Sequence, residues 1–164
     1  MQYISNIHTL TLLDNTLITN EGLKYLSKIN KLNLKMNTNI TDEGLKYISN
    51  IHTLELNSNK NITDLGLKYI PNIYELHLHE NEIITNNGLQ YIKNISILEL
   101  NKNKNITNIG LKNIPHVTIL YLYNNNKITV GCIKYIPKIL KLLLLDDNFG
   151  NVKWITQCSQ FGQF

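Results

Sequence analysis

The chain contains no arginine and no alanine. It has two cysteines, three prolines and one tryptophan in 164 residues. Each shortage excludes something. Cys132 and Cys158 match no disulfide framework and no metal-ligand spacing, so a reduced, intracellular setting is expected. No apolar run approaches the ~20 residues that span a bilayer, so no membrane span is expected. The opening, "MQYISNIHTL", lacks a cationic stretch followed by an apolar one and a small-residue cleavage site. No signal peptide is expected, and the localisation that follows is cytoplasmic. There is no phosphate-cradling glycine loop, nucleophile elbow, zinc helix or paired acid, so the expectation is no enzyme, no cofactor and no metal. Without arginine the positive charge is all lysine. Beside abundant Asn, Ile and Tyr, this reads as the coding bias of an AT-rich genome, which weakens lysine as a signal for nucleic acid. The formal net charge of +4 is modest.

What the chain has is repetition. "NITDEGLKYISNIHTLELN" recurs almost unchanged as "NITDLGLKYIPNIYELHLH". Counted from its leading Ile or Val, the unit begins at Ile7, Ile29, Ile51, Ile73, Ile95, Val117 and Ile139, a spacing of 22 residues without gaps. The units are 7–28, 29–50, 51–72, 73–94, 95–116, 117–138 and a partial 139–150. Residues 1–6 read as a truncated repeat and 151–164 as a C-terminal cap closed through a short helix, so 1–164 is one repeat domain. A fixed period of this length marks a solenoid, whose units bury their apolar faces only by stacking.

Within the unit, leucine pairs such as Leu54/Leu56 and Leu76/Leu78 alternate with period two and predict a short strand with one buried face. Asn15, Asn37, Asn59, Asn81, Asn103 and Asn125 follow three residues later. They predict a ladder of side chains that bond backbone groups where the chain leaves the strand. Thr followed by Asp or Asn suits a helix start. Leu45 and Ile48, with their equivalents, share one helical face, and Pro71, Pro115 and Pro137 stop the helix. Gly44, Gly66, Gly88 and Gly110 lie inside that helix, which points to close packing against the next repeat. In the sixth unit Cys132 holds this place, so an adjusted helix start is expected. One strand and one helix per unit, all in one direction, predict an α/β solenoid: a curved parallel sheet of about seven strands on the concave side, short helices on the convex side.

The strings "LxLxxN" and "ITDxGL", best seen in Leu56, Asn59, Ile62, Thr63, Asp64, Gly66 and Leu67, resemble the leucine-rich repeat family. They are most similar to its cysteine-containing subfamily, with Asn where Cys is usual. The Asn/Ile/Lys-rich version resembles proteins of amoebae and their giant DNA viruses, hence a viral or protist source. The resemblance implies a recognition protein, as in F-box substrate receptors of ubiquitin ligases. The repeats here are about one helical turn shorter than the usual unit, and they fill the chain from its start, leaving no segment for an F-box.

Function is expected where outward positions vary on a constant scaffold. The column between the paired leucines reads Thr11, Asn33, Glu55, His77, Glu99, Tyr121, Leu143. The next reads Leu13, Lys35, Asn57, His79, Asn101, Tyr123, Leu145. The one before reads Thr9, Lys31, Thr53, Glu75, Ile97, Ile119, Lys141. The partner-binding set is Glu55, Asn57, His77, His79, Glu99, Asn101, Tyr121, Tyr123, Leu143 and Leu145, polar and acidic in the middle, apolar and aromatic toward the C-terminus. Tyrosine offers area and a hydroxyl at low entropic cost. His77 between Glu55 and Glu99 admits a metal site or an acid/base pair. The simpler account is a cross-strand charge ladder, with pH dependence over about 5.5 to 7.5 around the ordinary histidine value. Lys24, Lys46, Lys68, Lys112 and Lys134 read as a solvated convex stripe without aromatic interleaving, and Tyr25, Tyr47, Tyr69, Tyr91 and Tyr135 as packing between helices. A protein partner is therefore expected on the concave face. The alternatives are nucleic acid or anionic membrane on the convex face, or self-assembly through an uncapped N-terminal end.

Overall fold

The computed structural model describes residues 7–145 and 153–156. Seven strands run in parallel: β1 (Thr9–Thr11), β2 (Lys31–Asn33), β3 (Thr53–Glu55), β4 (Glu75–His77), β5 (Ile97–Glu99), β6 (Ile119–Tyr123) and β7 (Lys141–Leu145). They follow one another in the sheet in chain order, each pairing with its equivalent 22 residues on, as Leu54 with Leu76 and Leu76 with Leu98. An eighth strand, β8 (Lys153–Thr156), pairs antiparallel with β7. The short helix expected to close the C-terminus is therefore a strand over these four residues. Reversing direction lets the chain add to the exposed edge of β7 without a crossover. The remainder of the expected cap, and the truncated repeat at 1–6, lie outside the described residues.

Each strand returns through a single helical turn: α1 (Asn20–Leu23), α2 (Asp42–Leu45), α3 (Asp64–Leu67) and α4 (Asn86–Leu89). Short 3₁₀ segments extend the first two at Lys24–Leu26 and Lys46–Ile48, and replace the α-turn altogether at Gly110–Asn113 and Val130–Tyr135. Sheet and turns enclose one continuous core. The inward leucines of β2 to β6 and the isoleucines between elements are fully or almost fully buried, among them Leu54, Leu76, Ile62 and Ile84. At the first repeat Leu10 and Leu12 are only partly buried, and Leu17 is 88% exposed. Burial is thus lower in the first described repeat than in the middle of the stack.

Two side-chain ladders hold the repeats in register. In the first, Asn59 Nδ2 donates to Asn37 O at 2.7 Å, Asn81 Nδ2 to Asn59 O at 3.1 Å and Asn103 Nδ2 to Asn81 O at 2.7 Å. Asn37 reaches Leu12 O at 2.5 Å and Asn125 reaches Leu100 O at 3.2 Å, while Asn15 caps its own turn by accepting from Leu17 N and Ile18 N. Asn37, Asn59, Asn81 and Asn103 are wholly buried. A buried peptide carbonyl without a donor costs a few kcal/mol, so the ladder answers a need of the turn.

The second ladder joins the helix starts. Asp42 Oδ1 accepts from Thr63 N at 2.8 Å and its Oδ2 from Thr63 Oγ1 at 2.6 Å. Asp64 holds Thr85 at the same distances. Asn20, Asn86 and Asn108 do likewise for Thr41, Thr107 and Thr129, with the amide donating to the hydroxyl. The Asp or Asn after Thr therefore reaches back to the next repeat's Thr as well as opening its own helix. The helical glycines follow from this. A Cβ at Gly66 would run into Asp42 Oδ1, and one at Gly88 into Asp64 Oδ1. Val130 occupies this ladder position in the sixth repeat, where the turn is 3₁₀.

Just past each of the first six strands one residue adopts a left-handed conformation: Asp14, Met36, Ser58, Glu80, Lys102 and Asn124, with φ of 46° to 62°. No glycine stands at any of them. The strain persists because the backbone N–H is tied to the neighbouring repeat, as Met36 N to Asn57 O at 3.0 Å and Ser58 N to His79 O at 2.8 Å.

Candidate functional site: the concave sheet face

The outward residues of β3, β4 and β5 and the turns after them form a continuous hydrogen-bonded strip. His77 sits at its centre. Its Nδ1 lies 2.6 Å from Glu99 Oε2 on β5 and its Nε2 lies 3.0 Å from Glu75 Oε1 on its own strand. With a carboxylate oxygen facing each ring nitrogen, the doubly protonated ring satisfies both. Burial opposes that charge, but the bonds to Glu99 and Glu75 outweigh it and raise the His77 pKa above its ordinary value. Reciprocally, the bond from His77 lowers that of Glu99, against the effect of burial.

The strip extends both ways. Thr53 Oγ1 donates to Glu75 Oε2 at 3.2 Å, and Asn101 Nδ2 to Glu99 Oε1 at 2.5 Å. His79 lies 3.7 Å from Glu99 Oε1 and 3.4 Å from Glu80 Oε1. Lys102 Nζ bonds Glu80 Oε1 at 2.7 Å and Ser58 Oγ bonds its Oε2 at 3.1 Å, and these hold the Glu80 carboxyl down at about 2. Asn33 Nδ2 donates to Glu55 Oε2 at 2.6 Å. Glu55 stands opposite His77 in register.

The structure thus brings Glu55, His77, His79 and Glu99 together on one half-buried surface. Asn57 and Asn101 are there too, but each uses its Oδ1 on the next repeat's backbone, accepting from His79 N at 2.9 Å and from Tyr123 N at 2.7 Å. Glu75 and Glu80 were not in the sequence-derived set, yet they complete the strip. Glu75 opens β4 two residues before His77, on the same face, and that spacing was the available signal. Tyr121, Tyr123 and Leu143 continue the face over β6 and β7, half-buried, and Leu145 pairs with Tyr123. Lys141 Nζ lies 5.3 Å from the centre of the Tyr121 ring. One further pair went unread in the sequence. His52 and Tyr74, in the residues leading into β3 and β4, stack with ring centres 4.6 Å apart and planes 21° apart.

Among the described residues no group of three or more His, Cys, Asp or Glu is disposed to hold a metal ion. The carboxylates and imidazoles of the strip point at one another, pair by pair, instead of converging on a common point. Cys132 is buried, and burial pushes its thiol up to about 11, so it is inert.

The convex side corrects one sequence expectation. The lysines there do have aromatic neighbours. Lys24 Nζ lies 5.1 Å from the centre of the Tyr47 ring and Lys46 Nζ lies 5.0 Å from that of Tyr69, each on the next repeat. Lys112 and Lys134 flank Tyr135 in the same way. Lys24 and Lys46 also bond Glu21 and Glu43 one helical turn back. The period of 22 stacks unlike residues side by side, and the sequence read each column only against itself. Among the described residues no helix is long and apolar enough to cross a membrane.

Comparison with known proteins gives the architecture its name. The family model for the leucine-rich repeat matches residues 25–49 and 47–70. The fold is a leucine-rich repeat solenoid. An internalin of Listeria monocytogenes superposes with a TM-score of 0.69 at 21% identity, covering 87% of this chain and 43% of its own. Internalin C2 of the same strain does so with 0.63 at 24% identity, covering 85% and 71%. The Drosophila Toll–Spatzle complex gives 0.62 at 14% identity, with 79% of this chain and 18% of that chain covered. The chain thus spans less than half the length of the first of these. None of the curated proteins matches its sequence. In this leucine-rich repeat solenoid the "ITDxGL" string has a structural meaning. Its Thr and Asp or Asn build the ladder between helix starts, and its Gly leaves room for that ladder.

Proposed function

We propose that this leucine-rich repeat solenoid is a non-enzymatic interaction scaffold that binds a protein partner on its concave sheet face. The observation that carries the reading is the concave face itself. Strands β3 to β6 present Glu55, His77, Glu99 and Tyr121 in one column at the fixed pitch of paired parallel strands, and Asn57, His79, Asn101 and Tyr123 follow two residues on in a second. Part of this surface is already held: His77 bonds Glu99 on the next strand, Asn101 bonds Glu99, and Asn57 and Asn101 accept from the backbone N–H of His79 and Tyr123. A surface ordered in advance loses little rotamer entropy on binding. Among the solved structures with this fold is a complex, that of Toll with Spatzle. Recognition of a substrate for a larger complex, the role implied by resemblance to F-box receptors, is the finer form of the same reading.

The convex alternative has weaker support. Lys24 and Lys46 there are engaged with Glu21, Glu43 and the Tyr47 and Tyr69 rings. Binding of nucleic acid there would fall steeply between about 50 and 200 mM salt.

A paired pull-down tests the proposal. One bait is the chain as it is, the other carries Tyr121→Ala, Tyr123→Ala and His77→Ala, with both first shown to be folded by circular dichroism. A protein retained only by the first bait supports the concave reading. Identical capture by both baits removes it.

A further inference from the structure

The concave face is not uniform, and its grading narrows the chemistry of what it binds. Across β3, β4 and β5 it presents three carboxylates, Glu55, Glu75 and Glu99, with His77 between the last two and His79 beside Glu99, and the turn after β4 adds Glu80, held by Lys102. The chain as a whole carries a formal net charge of +4. An acidic strip on a basic protein is therefore a local feature, set against the background. Its borders are sharp. On β2 the positions equivalent to Glu75 and Glu55 are Lys31 and Asn33, and an exposed Lys35 follows the strand. On β6 they are Ile119, Tyr121 and Tyr123. The internal hydrogen bonds do not exhaust the acids, for among the described residues Glu55 accepts only from Asn33, through one of its two oxygens.

We infer that the partner segment bound on this face is extended, cationic where it crosses β3 to β5 and apolar where it crosses Ile119, Tyr121 and Tyr123 of β6 and Leu143 of β7. This rests on the concave reading proposed above and deepens it. Lysine or arginine side chains of the segment pair with Glu55 at the half-buried surface, where charge pairs are screened less than in open water. The lysines of β2 repel the same cations and mark one end of the basic stretch. At the other end Ile97, Ile119 and the two tyrosine rings offer apolar area to an aliphatic or aromatic anchor. Parallel strands lie about 4.8 Å apart, so β3 to β7 covers about 19 Å, the reach of about six extended residues.

The test uses the full chain and a fluorescein-labelled peptide of about eight residues, lysines and arginines in its first half and leucine, tyrosine and isoleucine in its second. Its counterparts are the same composition scrambled, and a version with glutamates in place of the cations. Anisotropy is read at about 50 and 150 mM salt. The expected result is saturable binding of the first peptide, weaker binding of the scramble and none of the acidic version. Glu55→Gln keeps the bond from Asn33 and so keeps the fold. It is expected to weaken the first peptide about three- to tenfold, an effect that shrinks as salt rises. Tyr121→Ala, outside the acidic strip, is expected to weaken it at both salts alike. The inference is overturned if the acidic peptide binds as well as the basic one, if the scramble matches the ordered peptide, or if Glu55→Gln changes nothing. If the peptides fail while the paired baits still retain a concave-dependent protein, the stated chemistry is wrong and the concave reading stands. If both fail, both are wrong.

Discussion

Gly66 gives the sharpest test at the scale of one residue. Replacing a helical glycine by alanine ordinarily stabilises a helix by about 1 kcal/mol. Here the new Cβ would meet Asp42 Oδ1, the atom that also accepts from Thr63 N. Overpacking of this kind costs about 1 to 3 kcal/mol, so Gly66→Ala is expected to destabilise despite the better helix former. In a double-mutant cycle with Asp42→Ala the penalty should largely vanish, because the obstructing carboxylate is gone. Urea unfolding of the four proteins checks it, and additive effects would refute the packing account. Met36 makes the opposite case. It is half exposed and left-handed at φ 62°. Glycine there removes strain of about 1 kcal/mol and should hold or raise stability, while Met36→Val should lower it by at least as much. The glycine column was legible in the sequence as close packing. The left-handed column was not, because its occupants are six unlike residues, none of them glycine, and the N–H of the first five is tied to the next repeat in that conformation.

Between elements, the asparagine ladder and the acidic strip act across strands. Asn103→Ala removes the donor to the carbonyl of Asn81 at a fully buried site and the acceptor for Asn105 N and Ile106 N. The expected loss is about 2 to 3 kcal/mol, seen as a lower urea midpoint at unchanged slope. For the strip the prediction is a pH dependence. His77 is raised, so its contribution is full below the unfolded value of about 6.5 and is lost as pH rises through the folded value. Glu99 is lowered, so its contribution is full above about 4.3 and is lost as pH falls through its folded value. The pair therefore stabilises most between about pH 4.5 and 6.5. The window read from the sequence, about 5.5 to 7.5, moves upward at its alkaline side. The stability advantage of the chain over His77→Gln, on the order of 1 kcal/mol at pH 6, should shrink by pH 8.5. A difference that stays constant over that range would show that the His77 charge contributes nothing. That His77 lies between carboxylates could be read from columns of the repeat. One of them, Glu99, is the partner that the column named, while Glu75, two residues back on the same strand, takes the place of Glu55.

At the scale of the whole molecule, stability is shared along the stack and is greatest where a repeat has neighbours on both sides. Leu76→Ala, in a fully buried position of β4, is expected to cost about 3 to 4 kcal/mol and to break the array in the middle. Leu12→Ala, at the half-buried first repeat, is expected to cost under about 2 kcal/mol and to leave the rest standing. Hydrogen exchange resolved by repeat would show the first change opening both sides of β4 and the second confined to the end. Equal and global effects would mean the array unfolds as one unit.

A period of 22 residues with an inward leucine pair was enough, by itself, to determine the solenoid, the parallel register and the identity of the core, because each unit can bury its apolar face only against copies of itself. It also determined that the asparagine positions must meet their own equivalents one repeat away. Only the tertiary structure decided what unlike columns do to one another. Stacking set Lys24 over Tyr47, turned Asn57 and Asn101 onto neighbouring backbone, stacked His52 on Tyr74, and closed Glu75, His77 and Glu99 into one strip. The end of the chain shows the same division. β8 adds antiparallel to β7 where the repeat has run out, and no period was left there to read. Periodicity specifies which residues are neighbours. Side-chain length and direction decide which of those neighbours touch.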